Sequence, residues 1–286
     1  MDPITIFTNI DSFRSYTEGL TADTTLEQLA PSIRTVAGDI KAVVTPEVFE
    51  AVAGFGQAAT DDQKEALRLL RTALASGAMY KYAIFAATKK NGSDASLYKY
   101  QHEEIKEHYV EAYCRAMDEL LDWLDANDTA NFHESDQYKG RQELPLKNAR
   151  EFNRYYGIDN SSFFYSKVLF LIRSCWQFRV KPLLSPVAER NTDKVMDLAR
   201  HILAYRVIAA AVLQFDKTEL PRSIRWDFNH EYTKGSDMQS RDKLAAQLLS
   251  QVGTWEESLD LLLKAGNGAT AIPSDHNEEG NKFFMM

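Results

Sequence analysis

Apolar residues recur at three- and four-residue intervals along most of the chain, the signature of amphipathic helices. Leu26, Leu29, Ile33, Val36, Ile40 and Val43 make one such stripe. Thr24-Thr25-Leu26-Glu27 stands before it and reads as a capping box, a threonine hydroxyl accepting an orphan amide while the glutamate reaches back. Thr45-Pro46 restarts a short helix with proline at its first position, and Gly54 and Gly56 end it. A second box, Thr60 to Gln63, opens a helix that carries Leu67, Leu70, Leu74 and Ala78 as far as Ala87, followed by a turn at Lys89 to Asp94. The next helix, 96–126, is the longest. Its stripe is Leu97, Gln101, Ile105, His108, Ala112, Ala116, Leu120 and Leu124, and it spans roughly 45 Å, the reach of a strut.

Residues 127–146 are polar and turn-rich, so the expected layout is an N-terminal helical half 1–126, a linker 127–146, a C-terminal helical half 147–265 and a flexible tail 266–286. In the second half, Ser161 to Lys181 is apolar nearly all round, which implies burial on most sides, either in the core or against another subunit. Its basic residues Arg173, Arg179 and Lys181 fit either snorkelling at a rim or an inter-subunit ion-pair face. A helix from Asp193 to Phe215 follows. Residues 220–234 alternate apolar and charged positions at Ile224, Trp226 and Phe228, and read as an extended or hairpin arm. Asp237 to Val252 is a helix broken at Gly253; Thr254 to Glu257 caps a last one. The fold class expected is all-α.

The two halves share an order of elements. At an offset of roughly 139 residues, Phe13 falls on Phe152, Tyr16 on Tyr155, Leu29 on Val168, Ile33 on Ile172, Arg34 on Arg173 and Val44 on Leu183. After a loop of different length, the helix around Leu67 and Leu70 matches that around Leu198 and Ile202. The pattern suggests an internal duplication.

Composition narrows the function classes. The chain has 33 Lys and Arg against 41 Asp and Glu, a net charge of -8. Phosphate affinity comes from clustered positive charge, so the whole protein does not read as a nucleic-acid binder, although a part could line a DNA passage without holding DNA. Cys114 and Cys175 are isolated and suggest neither a disulfide framework nor a zinc site. No apolar run is long enough to predict a transmembrane helix, and MDPITIF has no signal-peptide pattern, so the expected site of synthesis and residence is the cytoplasm.

The run His102 to His108 is the most metal-like stretch, with Glu104, His108 and Glu111 near one helical face. A di-iron bundle requires Glu-x-x-His on two helices, and this run offers Glu-x-x-x-His once, which favours a solvated face. His230-Glu231 has no neighbouring ligands in sequence, and His201 reads as a packed or rim histidine. There is no Gly-x-Ser-x-Gly elbow, Walker loop or Gly-x-Gly-x-x-Gly fingerprint. The expectation is therefore no enzyme, with no catalytic, cofactor-binding or metal-binding residues.

Asn148-Ala149-Arg150-Glu151-Phe152, followed by Tyr156-Gly157-Ile158-Asp159-Asn160-Ser161, resembles a largely uncharacterised family of Bacteroidetes phage and prophage proteins. Its pattern is an aromatic helix, an I-x-x-S turn, a helix ending near a proline, and a helix rich in alanine. Here these are Phe152, Ile158 with Ser161, Phe164, Ile172, Pro182 and Ala209-Ala210-Ala211. The resemblance is best over 148–234 and weaker over 10–88. The family's helical layout is similar to that of phage head–tail connector, or adaptor, proteins, though this chain is longer than the usual adaptor, as a duplication would explain.

The resemblance implies a virion structural protein of the neck region, made in the host bacterial cytoplasm. Its subunits would form a ring, taken as dodecameric, beneath the portal protein and against an adjoining tail or stopper protein. DNA would pass through without specific binding, and no membrane is involved. On that reading Glu103, Glu104 and Glu107 face the channel, whereas Trp226, Phe228, Phe283 and Phe284 supply a partner interface. The alternative is a cytoplasmic helical adaptor or scaffold without catalytic activity.

Overall fold

The computed structural model describes residues 1–56, 58–90, 99–184, 193–225 and 237–266, with backbone alone over 84–90 and 99–103 and at 237, 265 and 266. Among the described residues the chain is all-α, with no strand. It divides into two compact units, one of Met1–Leu169 with Phe215–Thr233, the other of Phe170–Gln214 with Lys234–Met286.

The first unit is built on α1 (Ile10–Arg14), α2 (Leu26–Val44), α3 (Pro46–Ala53), α4 (Asp61–Lys90) and α5 (Lys99–Ala126). The predicted stripe of α2 is the one buried, with Leu29, Ile33, Val36 and Ile40 in the core. Its cap lies one residue beyond the expected box: the Thr25 amide donates to Gln28 Oε1 at 3.4 Å, while the Thr24 hydroxyl shares a hydrogen bond with that of Thr21 at 2.8 Å. The second box is as expected, Thr60 N–H to Gln63 Oε1 at 3.0 Å and Gln63 N–H to Thr60 Oγ1 at 3.3 Å. The α2 and α4 backbones approach closely at Gly77, where a Cβ would stand 2.7 Å from Val36 Cγ1.

Helix α5 packs along α4. Its C-terminal half supplies Met117, Leu120, Leu121 and Leu124 to the core of the unit, whereas Ile105 and His108, members of the predicted stripe, are exposed. The stretch read as a linker is ordered within this unit. It holds a 3-10 turn, Thr129–Glu134, and α6 (Asp136–Gln142), and it buries Phe132, Leu144 and Leu146.

Next come α7 (Ala149–Asn153) and α8 (Ser162–Cys175), which begins in the first unit and ends in the second. The caps of α1 and α7 correspond: Asn9 Oδ1 accepts from the Ser12 amide at 2.8 Å, and Asn148 Oδ1 accepts from the Glu151 amide at 2.9 Å. Phe13 and Phe152, Leu29 and Val168, Ile33 and Ile172 are all fully buried pairs at the offset read in the sequence.

In the second unit, α8 passes into a π-helical turn, Trp176–Val180, and α9 (Lys181–Leu184). Then α10 (Asp193–Gln214) and α11 (Asp237–Gly266) pack along each other. They run antiparallel, since Arg206 bonds Glu256 whereas Arg241 bonds the carbonyl of Val212. Leu244, Leu248, Val252 and Leu259 make the buried stripe of α11. This helix is continuous through Gly253, which faces open space and so breaks nothing. Thr254 starts no new helix; its hydroxyl bonds back to the Ser250 carbonyl at 3.5 Å. The described part of the expected extended arm is also helical, over 222–225.

Candidate functional site

The first unit gathers its polar chemistry where α5 meets the start of α8. The residues Ile158-Asp159-Asn160-Ser161 form a tight turn with Asp159 and Asn160 at φ 57° and 53°, a left-handed conformation that short polar side chains tolerate best. Asn153 Oδ1 holds the turn by accepting from the amides of Ile158 at 2.8 Å and Asn160 at 3.1 Å. Ser161 then caps α8, accepting from the Phe164 amide at 3.0 Å.

Asp118 of α5 locks that cap from across the fold. Its Oδ1 accepts from Ser161 Oγ and from the Phe163 amide, each at 2.8 Å, and Asp122 accepts from Ser162 Oγ at 2.6 Å. Burial pushes the Asp118 carboxyl up to about 6, against the two hydrogen bonds that lower it.

A second polar link sits nearby. Arg225, 7% exposed, donates to Glu107 at 2.9 Å and to Glu111 at 3.4 Å, while its Nε has no hydrogen-bond partner among the described residues. Ser223 donates from its amide to Asp159 at 3.0 Å and from its hydroxyl to the Gly157 carbonyl at 3.1 Å. The 222–225 turn is thereby tied to the I-x-x-S turn as well as to α5.

Two cavities open along α5 on either side of Phe163. One, of about 480 Å³, includes Val36, Val43, Val110, Tyr113 and Lys167 in its wall. The other, of about 300 Å³, includes Arg115, Asp118, Arg222 and Arg225. Phe163, Cys114, Thr218 and Glu219 line both. In the larger one Lys167 pairs with Glu219 at 2.6 Å and lies over the Phe163 ring at 5.1 Å, Lys81 approaches Asp39 at 3.7 Å, and the Tyr113 and Phe163 rings meet edge to face at 5.4 Å. Burial raises the Tyr113 phenol, and raises the Cys114 thiol to about 11, so Cys114 is a protonated, unreactive thiol near neutral pH. This is an apolar cavity with charged edges, suited to holding a group.

The residues singled out in the sequence are distributed as follows. Glu104 is exposed on α5. Glu107 is exposed too, but its charge is shared with Arg225. The side chain of Glu103 lies outside the described residues, as do Trp226, Phe228, His230, Glu231, Phe283 and Phe284. His201 sits at a rim beside Trp255, 5.1 Å between rings. Among the described residues no three His, Cys, Asp or Glu side chains converge as a metal site, and no helix is long and apolar enough to cross a membrane.

Asp118, Arg225 and the cavity lysines were not singled out from sequence. Asp118 had a signal, a carboxylate between Met117 and Leu121 on an apolar face. Arg225 had none, since its partners lie more than a hundred residues away in sequence.

Among the described residues, large apolar side chains are exposed unevenly. Phe170, Phe178, Leu213, Met238, Leu249, Leu261 and Leu262 all belong to the second unit, and Phe178 and Met238 are each 73% exposed. The larger first unit exposes Met1 and Ile105. No family model, curated protein or solved structure matches the chain.

Proposed function

We propose that the chain is a helical assembly subunit that works by docking, and specifically a phage head–tail connector that joins a ring beneath the portal. The observation that supports the reading best is the concentration of exposed large apolar side chains on the second unit. Water-exposed rings and leucines on one unit supply apolar area that a partner protein would cover. The matching caps and buried pairs at the two ends of the offset favour the duplicated adaptor layout that the resemblance implies. The neck of a virion is the corresponding location.

The direct test is a tagged pull-down from the producing cells, with retained proteins identified by mass spectrometry. Portal and tail proteins should be recovered. Recovery of regulatory or metabolic proteins alone would reject the connector and favour the scaffold reading. A channel-facing role for the acidic face is best probed at Glu103 and Glu104. Neutralising both should impair DNA passage and leave the thermal midpoint unchanged, whereas neutralising Glu107 also strips a buried arginine of one of its two partners.

A further inference from the structure

We propose that the larger cavity beside Phe163 binds a neutral aromatic small molecule that carries one hydrogen-bonding substituent, with the Tyr113 hydroxyl as its anchor. The inference goes beyond the docking reading, which draws on the second unit, because every residue of this wall belongs to the first.

Enclosure comes first. Helices α2, α4, α5 and α8 and the 216–219 turn all contribute to the wall of a space of about 480 Å³, the size of site that takes a small molecule. Val36, Val43, Val110, Tyr113 and Phe163 make its apolar part, against which an apolar body gains by leaving water.

Charge decides the next property. The charged side chains of the wall already have partners. Lys81 faces Asp39 at 3.7 Å, Lys167 pairs with Glu219 at 2.6 Å, and Asp216 accepts from the amide and the hydroxyl of Thr218 at 2.9 and 2.8 Å. An ionic ligand would lose its hydration and find no free counter-charge, so the wall prefers a neutral one.

The rings select the shape. Tyr113 and Phe163 meet edge to face with their planes at 85°, and Tyr113 packs closely on α4 at Gly77, where an added Cβ would lie 3.2 Å from Tyr113 Cδ2. A flat ring laid against one of the two presents its edge to the other, an arrangement that aromatic groups favour. Tyr80 and Tyr113 are the phenols of the wall, and neither hydroxyl makes a hydrogen bond among the described residues; Tyr113 is the one that meets Phe163. Burial and the charge of Asp39 suppress its ionisation, so it remains a donor that one acceptor on the ligand would satisfy.

The test is a fluorescence titration of the full chain with 2-naphthol, a fused aromatic pair with a single hydroxyl, uncharged at neutral pH. Saturable binding is expected. 2-Naphthoate and 2-naphthylmethylammonium, the same rings with a charge of either sign, should bind about tenfold more weakly. N-acetyltyrosinamide, standing for the side chain of a partner protein, should bind no better than those ions. Tyr113→Phe should weaken 2-naphthol about fivefold and leave naphthalene unchanged, a split that a merely structural change would not produce. Ala42→Trp, which fills the cavity from an exposed lining position, should abolish binding, whereas Phe178→Ser on the second unit should not alter it. Absence of saturation, a preference for either ion or for the tyrosinamide, equal effects of Tyr113→Phe on 2-naphthol and naphthalene, or a loss in Phe178→Ser that Ala42→Trp does not share would each overturn the proposal.

Discussion

Asp118 shows how one side chain can hold two helices in register. Its carboxylate receives the serine hydroxyl and the Phe163 amide at the start of α8, so α5 adds a second acceptor to the cap that Ser161 makes. Asp118→Ala should lower unfolding stability by about 2 kcal/mol in denaturant titration, because a buried hydroxyl and amide lose their acceptor. Asp118→Asn should not, since an amide oxygen accepts the same bonds. The pH dependence separates the two effects. Burial raises the folded pKa to about 6 from an ordinary 3.8, so between those values the folded chain holds a proton that the unfolded chain has released. The contribution of Asp118 to stability therefore falls as pH rises through that window, by about 3 kcal/mol. The gap in stability between Asp118→Asn and the parent chain should widen in favour of Asn from pH 4 to pH 7. Neither Asp118 nor its partners could be paired from sequence, because the contact joins positions more than forty residues apart.

At the scale of elements, two helical glycines look alike in sequence and differ in space. Gly77 lies where α2 and α4 touch, and a methyl group there meets Val36 and Tyr113. Gly77→Ala should destabilise by about 1–3 kcal/mol despite the gain in helix propensity. Gly253 lies within α11 with nothing near it, so Gly253→Ala should stabilise by about 1 kcal/mol, and both midpoints are read in one denaturant series. The contrast explains what was legible. Periodicity found α2, α4, α5, α8 and α10, and the buried face of α2, because the 3.6-residue repeat is a local property; on α5 only the C-terminal part of the predicted stripe is buried. It placed a break at Gly253 because it cannot tell a glycine that ends a helix from one that merely faces water. It took 127–146 for a linker because polar turns bury little apart from Phe132, Leu144 and Leu146, and those three lack a period.

For the whole molecule, the uneven exposure of apolar side chains predicts concentration-dependent association. Sedimentation of the purified chain should show self-association, and Phe178→Ser should weaken it with no loss of unfolding stability, since the ring is already mostly in water. A parent chain that stays monomeric at high concentration would mean that those side chains await a different protein. The all-α class was readable because the helical period dominates the chain. The cavities were not, because each draws its wall from α5 together with residues beyond 158, including segment 216–225, and no short stretch of sequence reports such a wall.

The two units are interleaved along the chain, which imposes an order in time. Leu220, Ile224 and Arg225, all buried in the first unit, leave the ribosome after the whole of 170–214, which belongs to the second. During synthesis Glu107 and Glu111 stand without their arginine while α10 has already emerged and still lacks α11. Neither unit can therefore finish before the other has begun, and a ribosome stalled after residue 214 holds a chain whose opening 169 residues are present yet still open at α5.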